Sequence, residues 1–192
     1  MRLALLLLAA LLVRDEAALR DALAKEIKAK DAAKRVEAVK KLAGAKEEKT
    51  ILLLAHALKD PALDVSKAAA ATLEGCTDGG GVAIKALGEI LVDKKADLDL
   101  RLACAKALVK ERYKSEVFPY LFTTISTIEP AERQFYKFGA EVTHLLDGYM
   151  GKSFEAGKTT ADRWNEWWMD HQAELKKADE KMHEEWKKEQ AK

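Results

Sequence analysis

Two stretches of the sequence, 35 residues apart, carry nearly the same pattern, and this repeat constrains the fold more than any other feature. One runs from Asp64 to Leu73 and the other from Asp99 to Leu108. Each begins with an aspartate suited to the N-cap of a helix, continues with an apolar residue, a polar patch and small residues, and ends in leucine. Helical units that recur at a period of about 20–50 residues are typical of solenoids. The repeat therefore predicts a stack of helix pairs.

The composition favours an all-α fold. Alanine and leucine supply most of the apolar residues and only three prolines are present, while the residue types that strands favour are scarce. A chain of 192 residues can form one ordinary domain with its own core. Lysine plus arginine number 33 and aspartate plus glutamate number 32. Because these charges balance, we expect no nucleic-acid partner.

The N-terminus has the form of a secretory signal peptide. Arg2 precedes an unbroken apolar run from Leu3 to Val13. A helix of that length reaches about 16 Å, too short for a hydrocarbon core about 30 Å thick. A basic start followed by a short leucine-rich core is typical of signal peptides. We assign residues 1–17 to it, with cleavage near Ala17 or Ala18. The mature chain is then expected in the periplasm or outside the cell without a membrane span, and an uncleaved anchor is the alternative.

Helical periodicity predicts about four antiparallel helix pairs between residues 18 and 147. The predicted pairs are Glu16–Ala29 with Asp31–Ala43, Glu48–Leu58 with Ala62–Gly75, Val82–Val92 with a helix from Asp97 or Asp99 to near Arg112, and Glu116–Thr127 with Pro130–Leu146. A single pair cannot bury its own apolar face, so neighbouring pairs must stack. The prediction is an all-α fold, a right-handed α-solenoid with a long C-terminal helix.

The second helices of these pairs resemble HEAT repeats. The best match is the stretch from Asp99 to Leu108, in which Arg101 is the basic residue, followed by small residues and leucine. In the copy that begins at Asp64 the basic residue is Lys67, displaced by one step, and the fourth pair departs from the pattern. The resemblance covers roughly residues 16–147 and implies a HEAT-like α-solenoid.

All thirteen aromatic residues of the chain lie between Tyr113 and Trp186, and this part therefore differs from the earlier repeats. Residues 148–172 contain a glycine-rich loop followed by three tryptophans, which we interpret as a structural cap: Trp164, Trp167 and Trp168. This loop and cluster look like a segment that follows HEAT repeats in large families of exported bacterial proteins, where it belongs to the end of the domain. The aromatic residues either close the solenoid or form a recognition surface.

The last predicted segment, residues 173–192, is a charged helical tail. Its apolar seam contains Leu175, Ala178, Met182 and Trp186 at alternating spacings of three and four residues. Such a helix can project into solvent, pair with a second copy or lie back on the repeats.

Catalytic and ligand-binding motifs are missing. The histidines form no metal-binding motif, and His56 is expected as a hydrogen-bonded core residue. The stretch Gly151-Lys152-Ser153 is not a phosphate-binding loop, because Leu146 stands where that motif needs glycine. We therefore predict a protein that is not an enzyme and has no cofactor or metal.

The two cysteines are predicted to be free, buried thiols. Aligned on the repeat, Cys104 corresponds to Ala69, and Cys76 lies seven residues beyond that position. Two helical turns are about 10 Å, whereas a disulfide needs Cα atoms within about 7 Å. A disulfide is the alternative.

Three functional hypotheses follow. The leading one is a non-catalytic protein–protein interaction module or scaffold of the cell envelope, whose partner would meet Lys67, Arg101 and Lys106 on the second helices. The second is a structural subunit that forms a homo-oligomer through Met182 and Trp186 of the C-terminal helix. The third is an accessory or assembly factor for an enzyme.

Overall fold

The computed structural model describes residues 20–21, 24–74, 76, 81–128, 133–154 and 160–190. Within these ranges the regular structure is entirely helical, which confirms the all-α class. Eight helices have defined bounds: α1 Ala32–Lys41, α2 Glu48–Ala57, α3 Leu63–Leu73, α4 Gly81–Val92, α5 Leu98–Leu108, α6 Lys114–Thr127, α7 Arg133–Met150 and α8 Thr160–Gln190. The predicted signal peptide lies outside the described residues.

The N-caps of the two repeat helices lie two residues before Asp64 and Asp99. The N-cap of α5 is Asp97, whose carboxylate accepts from the backbone N–H groups of Asp99 and Leu100. The N-cap of α3 is Ala62, and its backbone N–H donates to Asp60 at 2.8 Å. Of the two starts predicted for α5, the structure has Asp97 as the N-cap, and the prediction of a capping role for Asp64 and Asp99 is wrong. Both lie in the first turn, where a negative charge still favours the helix dipole.

The chain forms two compact units, residues 1–83 and 84–192. In the first unit, α3 packs against both α1 and α2. Small side chains let these helices approach closely, and their buried faces carry aliphatic residues: Val39, Leu42, Ile51, Leu54, Val65, Ala69 and Leu73. The outer face of α2 includes His56, which is exposed. The prediction of a core histidine is wrong because the helix turns that position to solvent.

A bidentate ion pair ties α1 to the turn before α3 in the first unit. Arg35 donates from Nε to Asp60 Oδ2 at 2.8 Å and from Nη2 to Oδ1 at 2.9 Å. The side chains are only 12% and 9% exposed. Hydrogen bonding to Arg35 lowers the pKa of Asp60, and the bond to Asp60 raises the pKa of Arg35. Such paired geometry fixes direction as well as distance between the two elements.

In the second unit, α7 packs against α5 and α6, and α8 packs against α6. The buried residues there include larger side chains than those of the first unit: Phe118, Leu121, Phe138, Val142, Leu146 and Trp164. The C-terminal helix is one unbroken element of 31 residues. It therefore joins the predicted tryptophan cap and the predicted charged tail into a single rod.

Both cysteines are free and buried, as predicted. Burial raises the pKa of the Cys104 thiol to about 12, so the thiol stays protonated and unreactive. The Cys76 thiol donates to the carbonyl of Thr72 at 3.4 Å. Among the described residues, no helix is both long and apolar enough to cross a membrane.

Candidate interaction surface on the C-terminal helix

Phe118 on α6 is the centre of an aromatic cluster that holds the first half of α8. Its ring is buried and stacks on Trp168, with centroids 4.3 Å apart and an interplanar angle of 8°. Phe122, one turn further along α6, also stacks on Phe118, with ring centroids 5.6 Å apart. Offset and edge contacts of this kind add stability beyond the area that they bury. The cluster fixes which side of α8 faces the unit.

The three tryptophans of the predicted cap all lie around this phenylalanine. Trp164 is fully buried, with centroid distances of 5.8 Å to Phe118 and 5.0 Å to Phe154. Trp167 stands edge-on to Trp164 at 5.5 Å. Because residues three and four apart share one side of a helix, the spacing of the tryptophans places all of them toward α6.

The carboxyl of Asp147 on α7 lies beside this cluster. Burial raises the pKa of Asp147, and the indole of Trp164 and the charge of His144 act in the opposite direction. The Trp164 indole therefore has two neighbours of different kinds, the ring of Phe154 and an acid on α7.

The side of α8 that turns away from the cluster presents an apolar residue to solvent. Met169 is 63% exposed, the largest exposure recorded for a large hydrophobic residue in the described part of the chain. Its sulfur accepts a weak hydrogen bond from the Gln172 amide at 3.6 Å. Trp167 and Trp168, which precede it, are half-exposed. We call the exposed side of the helix around Met169 the α8 surface.

Acidic residues border the α8 surface. Asp162, Glu166 and Asp170 are all exposed and follow one another at four-residue spacing. Consecutive positions of this spacing lie on one side of the helix. The ring of His171 stacks on Trp167 with centroids 4.5 Å apart, and its Nδ1 donates to the Trp167 carbonyl oxygen at 2.7 Å. The α8 surface thus has an exposed apolar residue, Met169, and a negative border.

The second half of α8 is fastened to the N-terminus of α6. Asp179, only 6% exposed, accepts from the backbone N–H of Ser115 at 2.7 Å and from its hydroxyl at 2.6 Å. The N-cap residue of α6, Tyr113, makes no side-chain capping hydrogen bond. An acceptor for the first N–H groups of a helix is normally local. Here it comes from another helix.

Polar and aromatic groups surround this junction. Burial, and then the charge of Asp179, raises the pKa of Glu116, while the charge of His183 lowers it. The hydroxyl of Tyr149 donates to the carbonyl of Glu111 at 2.8 Å, and burial raises the pKa of Tyr149. These contacts draw the end of α7 and the start of α6 toward the same stretch of α8.

The predicted tail therefore lies back on its own unit. His183 stands edge-on to Tyr113 at 6.4 Å and stacks on Trp186 at 5.8 Å. Met182 and Trp186, predicted as contacts between copies, are both half-buried. The helix packs on the chain and does not project from it, and pairing with a second copy stays a prediction.

The predicted contact residues of the second helices differ in their exposure to solvent. Arg101 is 2% exposed, donates from Nε to the carbonyl of Leu91 at 2.8 Å, and lies over the ring of Phe138 at 4.6 Å. It is therefore a core residue and not a surface contact, and desolvation lowers its pKa. Lys67, half-buried on α3, and Lys106, exposed in the last turn of α5, lie in different units.

Sequence reasoning missed Asp179, although a signal was present. The apolar seam of α8 passes through Leu175 and Met182, and Asp179 stands between them at the same helical spacing. A carboxylate on an otherwise apolar stripe needs a hydrogen-bonding partner when buried. The partner, Ser115, follows no recognisable motif. Met169 carried no signal, because exposure depends on which side of α8 meets α6.

The described residues contain no group of three or more histidine, cysteine, aspartate and glutamate side chains that could hold a metal ion. No family model matches the chain, and no curated protein matches it.

Proposed function

We propose that this chain is an exported, non-catalytic protein-binding module, built as a HEAT-like α-solenoid, that receives its partner on the α8 surface. The observation that carries the proposal is Met169, which is 63% exposed on the side of α8 that also carries three exposed acidic residues. Methionine is enriched at protein interfaces compared with other surfaces. An apolar side chain that the fold leaves in solvent, while Trp164 of the same helix is buried, supports contact at this side of α8.

The pattern of helix contacts supports the solenoid. In the first unit α3 packs against the preceding helix, α2, and against α1 two positions back; in the second unit α7 packs in the same way against α6 and α5. Stacked helix pairs give this result, because each second helix meets its own partner and the second helix of the pair before it. Solenoids use such layers to build extended binding surfaces.

The negative border of the α8 surface indicates what the partner carries. Asp162, Glu166 and Asp170 make no ion pair within the described residues. In the second half of α8, by contrast, Lys187 pairs with Glu184 at 3.1 Å. A partner segment with basic residues around an apolar one would complement the first half, and complementary charge directs which partner docks.

Export is supported by the sequence of residues 1–17 alone, a basic residue and a leucine-rich run. The expected compartment is the periplasm or the exterior. Lys67 and Lys106 remain candidate contacts on the second helices.

Site-specific photo-crosslinking tests the proposal. A photoreactive amino acid replaces Met169 in one full-length protein and Lys181 in a second; Lys181 is a matched control because it lies on the same helix and is 79% exposed. After irradiation in envelope extract, we expect a discrete heterologous adduct with position 169 and none with position 181. No adduct at position 169, or equal adducts at both positions, would overturn the proposal. An adduct with twice the mass of the chain would replace the partner by a second copy.

A further inference from the structure

We infer that Met169 is a peroxide-oxidation site of the folded protein, at which conversion to methionine sulfoxide changes the α8 surface from apolar to polar. Oxidation of methionine requires that the oxidant reach the sulfur. Met169 is 63% exposed, whereas Met150 and Met182 are half-buried. Among the described residues, the fold therefore leaves one methionine thioether well exposed and two others less accessible.

The side chain next to the Met169 sulfur would stabilise the sulfoxide product. The Nε2 amide of Gln172 lies 3.6 Å from Sδ of Met169, one helical turn away. A thioether is a weak acceptor, and the oxygen of a sulfoxide is a much stronger one. The amide that now makes a weak contact would donate to the new oxygen without any change in the helix.

The border of acids selects the kind of oxidant. Glu166 and Asp170 are exposed on the same side of α8 as Met169. Their negative charge repels anionic oxidants and leaves neutral hydrogen peroxide unaffected. We therefore assign hydrogen peroxide as the oxidant class.

The reaction is a two-electron oxygen transfer. A lone pair on Sδ forms the S–O bond as the O–O bond of hydrogen peroxide breaks. The departing hydroxide takes up the proton of the transferred hydroxyl and leaves as water, so sulfur is oxidised to the sulfoxide and the peroxide is reduced. The product is polar and chiral where the thioether was apolar. That this change weakens partner contact rests on the proposed function; the modification itself does not.

Peptide mass mapping of the folded, full-length chain after timed exposure to hydrogen peroxide tests the inference. We expect Met169 to gain one oxygen roughly ten times faster than Met150 or Met182, and the three rates to converge when urea unfolds the chain. Equal rates in the folded chain would overturn it. The Met169→Leu variant should lose the fast phase while the other two rates stay unchanged, and persistence of that phase would also overturn it. Because no partner is present, this result is independent of the crosslinking test.

Discussion

Asp179 accepts two hydrogen bonds from Ser115, one from its backbone N–H and one from its hydroxyl, although 64 residues separate them. The carboxylate lies at the N-terminus of α6, where N–H groups point outward and the helix dipole favours negative charge. Asp179 thus does the work of an N-cap from the side chain of another helix. The pairing stabilises α6 and attaches the second half of α8 in one interaction.

Replacement of Asp179 by alanine should lower the free energy of unfolding by about 1–3 kcal/mol, because the buried N–H and hydroxyl of Ser115 lose their acceptor. Urea unfolding followed by circular dichroism measures the loss. Glu180→Ala is the matched control, since it removes an exposed carboxylate from the adjacent position. Equal stability of the two variants would contradict the capping role.

Gly88 should not tolerate a methyl group. A Cβ at position 88 would lie 2.4 Å from the ring of Tyr120, whereas one at Gly148 would meet nothing within 4 Å. Gly88→Ala is expected to cost about 1–3 kcal/mol through overpacking. Gly148→Ala, inside α7, is expected to stabilise by about 0.5–1 kcal/mol because alanine favours helix. Thermal unfolding should give a lower melting temperature for Gly88→Ala and a higher one for Gly148→Ala. Shifts of the same sign in both variants would contradict one of the two predictions.

The ion pair between Arg35 and Asp60 should make stability depend on pH. Its hydrogen bond lowers the pKa of Asp60 in the folded state, so the contribution is present above the ordinary pKa of about 3.9 and is lost as the pH falls through the lowered value. Asp60→Asn is expected to lower the melting temperature by about 2–4 °C at pH 7, with a smaller difference at pH 2. Asp64→Asn serves as the control, since Asp64 is exposed. A pH-independent difference for Asp60→Asn would argue against the pair.

Alanine substitutions of Trp168 and Met169 should have different effects on stability, because one side chain is packed and the other is exposed. Trp168→Ala loses the stack on Phe118 and should destabilise the chain by about 2–4 kcal/mol. Met169→Ala should change stability by less than about 0.5 kcal/mol, because exposed side chains contribute little. Chemical denaturation monitored by tryptophan fluorescence makes the comparison. A large loss for Met169→Ala would mean that its side chain belongs to the core.

Local pattern predicted the helices well because their signals are local. The helix predicted from Asp31 does start there, since Asp31 is the N-cap of α1 and accepts from the N–H of Ala33 at 2.9 Å. Val39 and Leu73, on two of the predicted helices, are fully buried. The free cysteines also followed from spacing along the repeat.

What the pattern could not supply was the environment that distant residues create. Arg101 looked like a surface cation because its neighbours in sequence are ordinary helix residues. Its burial depends on the carbonyl of Leu91 and the ring of Phe138, which reach it only when the unit folds. Asp179 is the same kind of case, since Ser115 lies in another helix. The repeat could be read along the chain, but the candidate surface depends on which side of α8 meets α6.

The short stretch of α6 that contacts α8 is also the part of α6 that lacks one of its own helical hydrogen bonds. Pro119 lacks an N–H, so the carbonyl of Ser115 cannot receive the usual helical hydrogen bond. Tyr113, Ser115 and Phe118 nevertheless meet residues spread over about 22 Å of α8. Opening this stretch would release His183, Asp179 and Trp168 together. The two helices therefore constitute one cooperative unit of local unfolding, whose backbone amides exchange with solvent in a shared event.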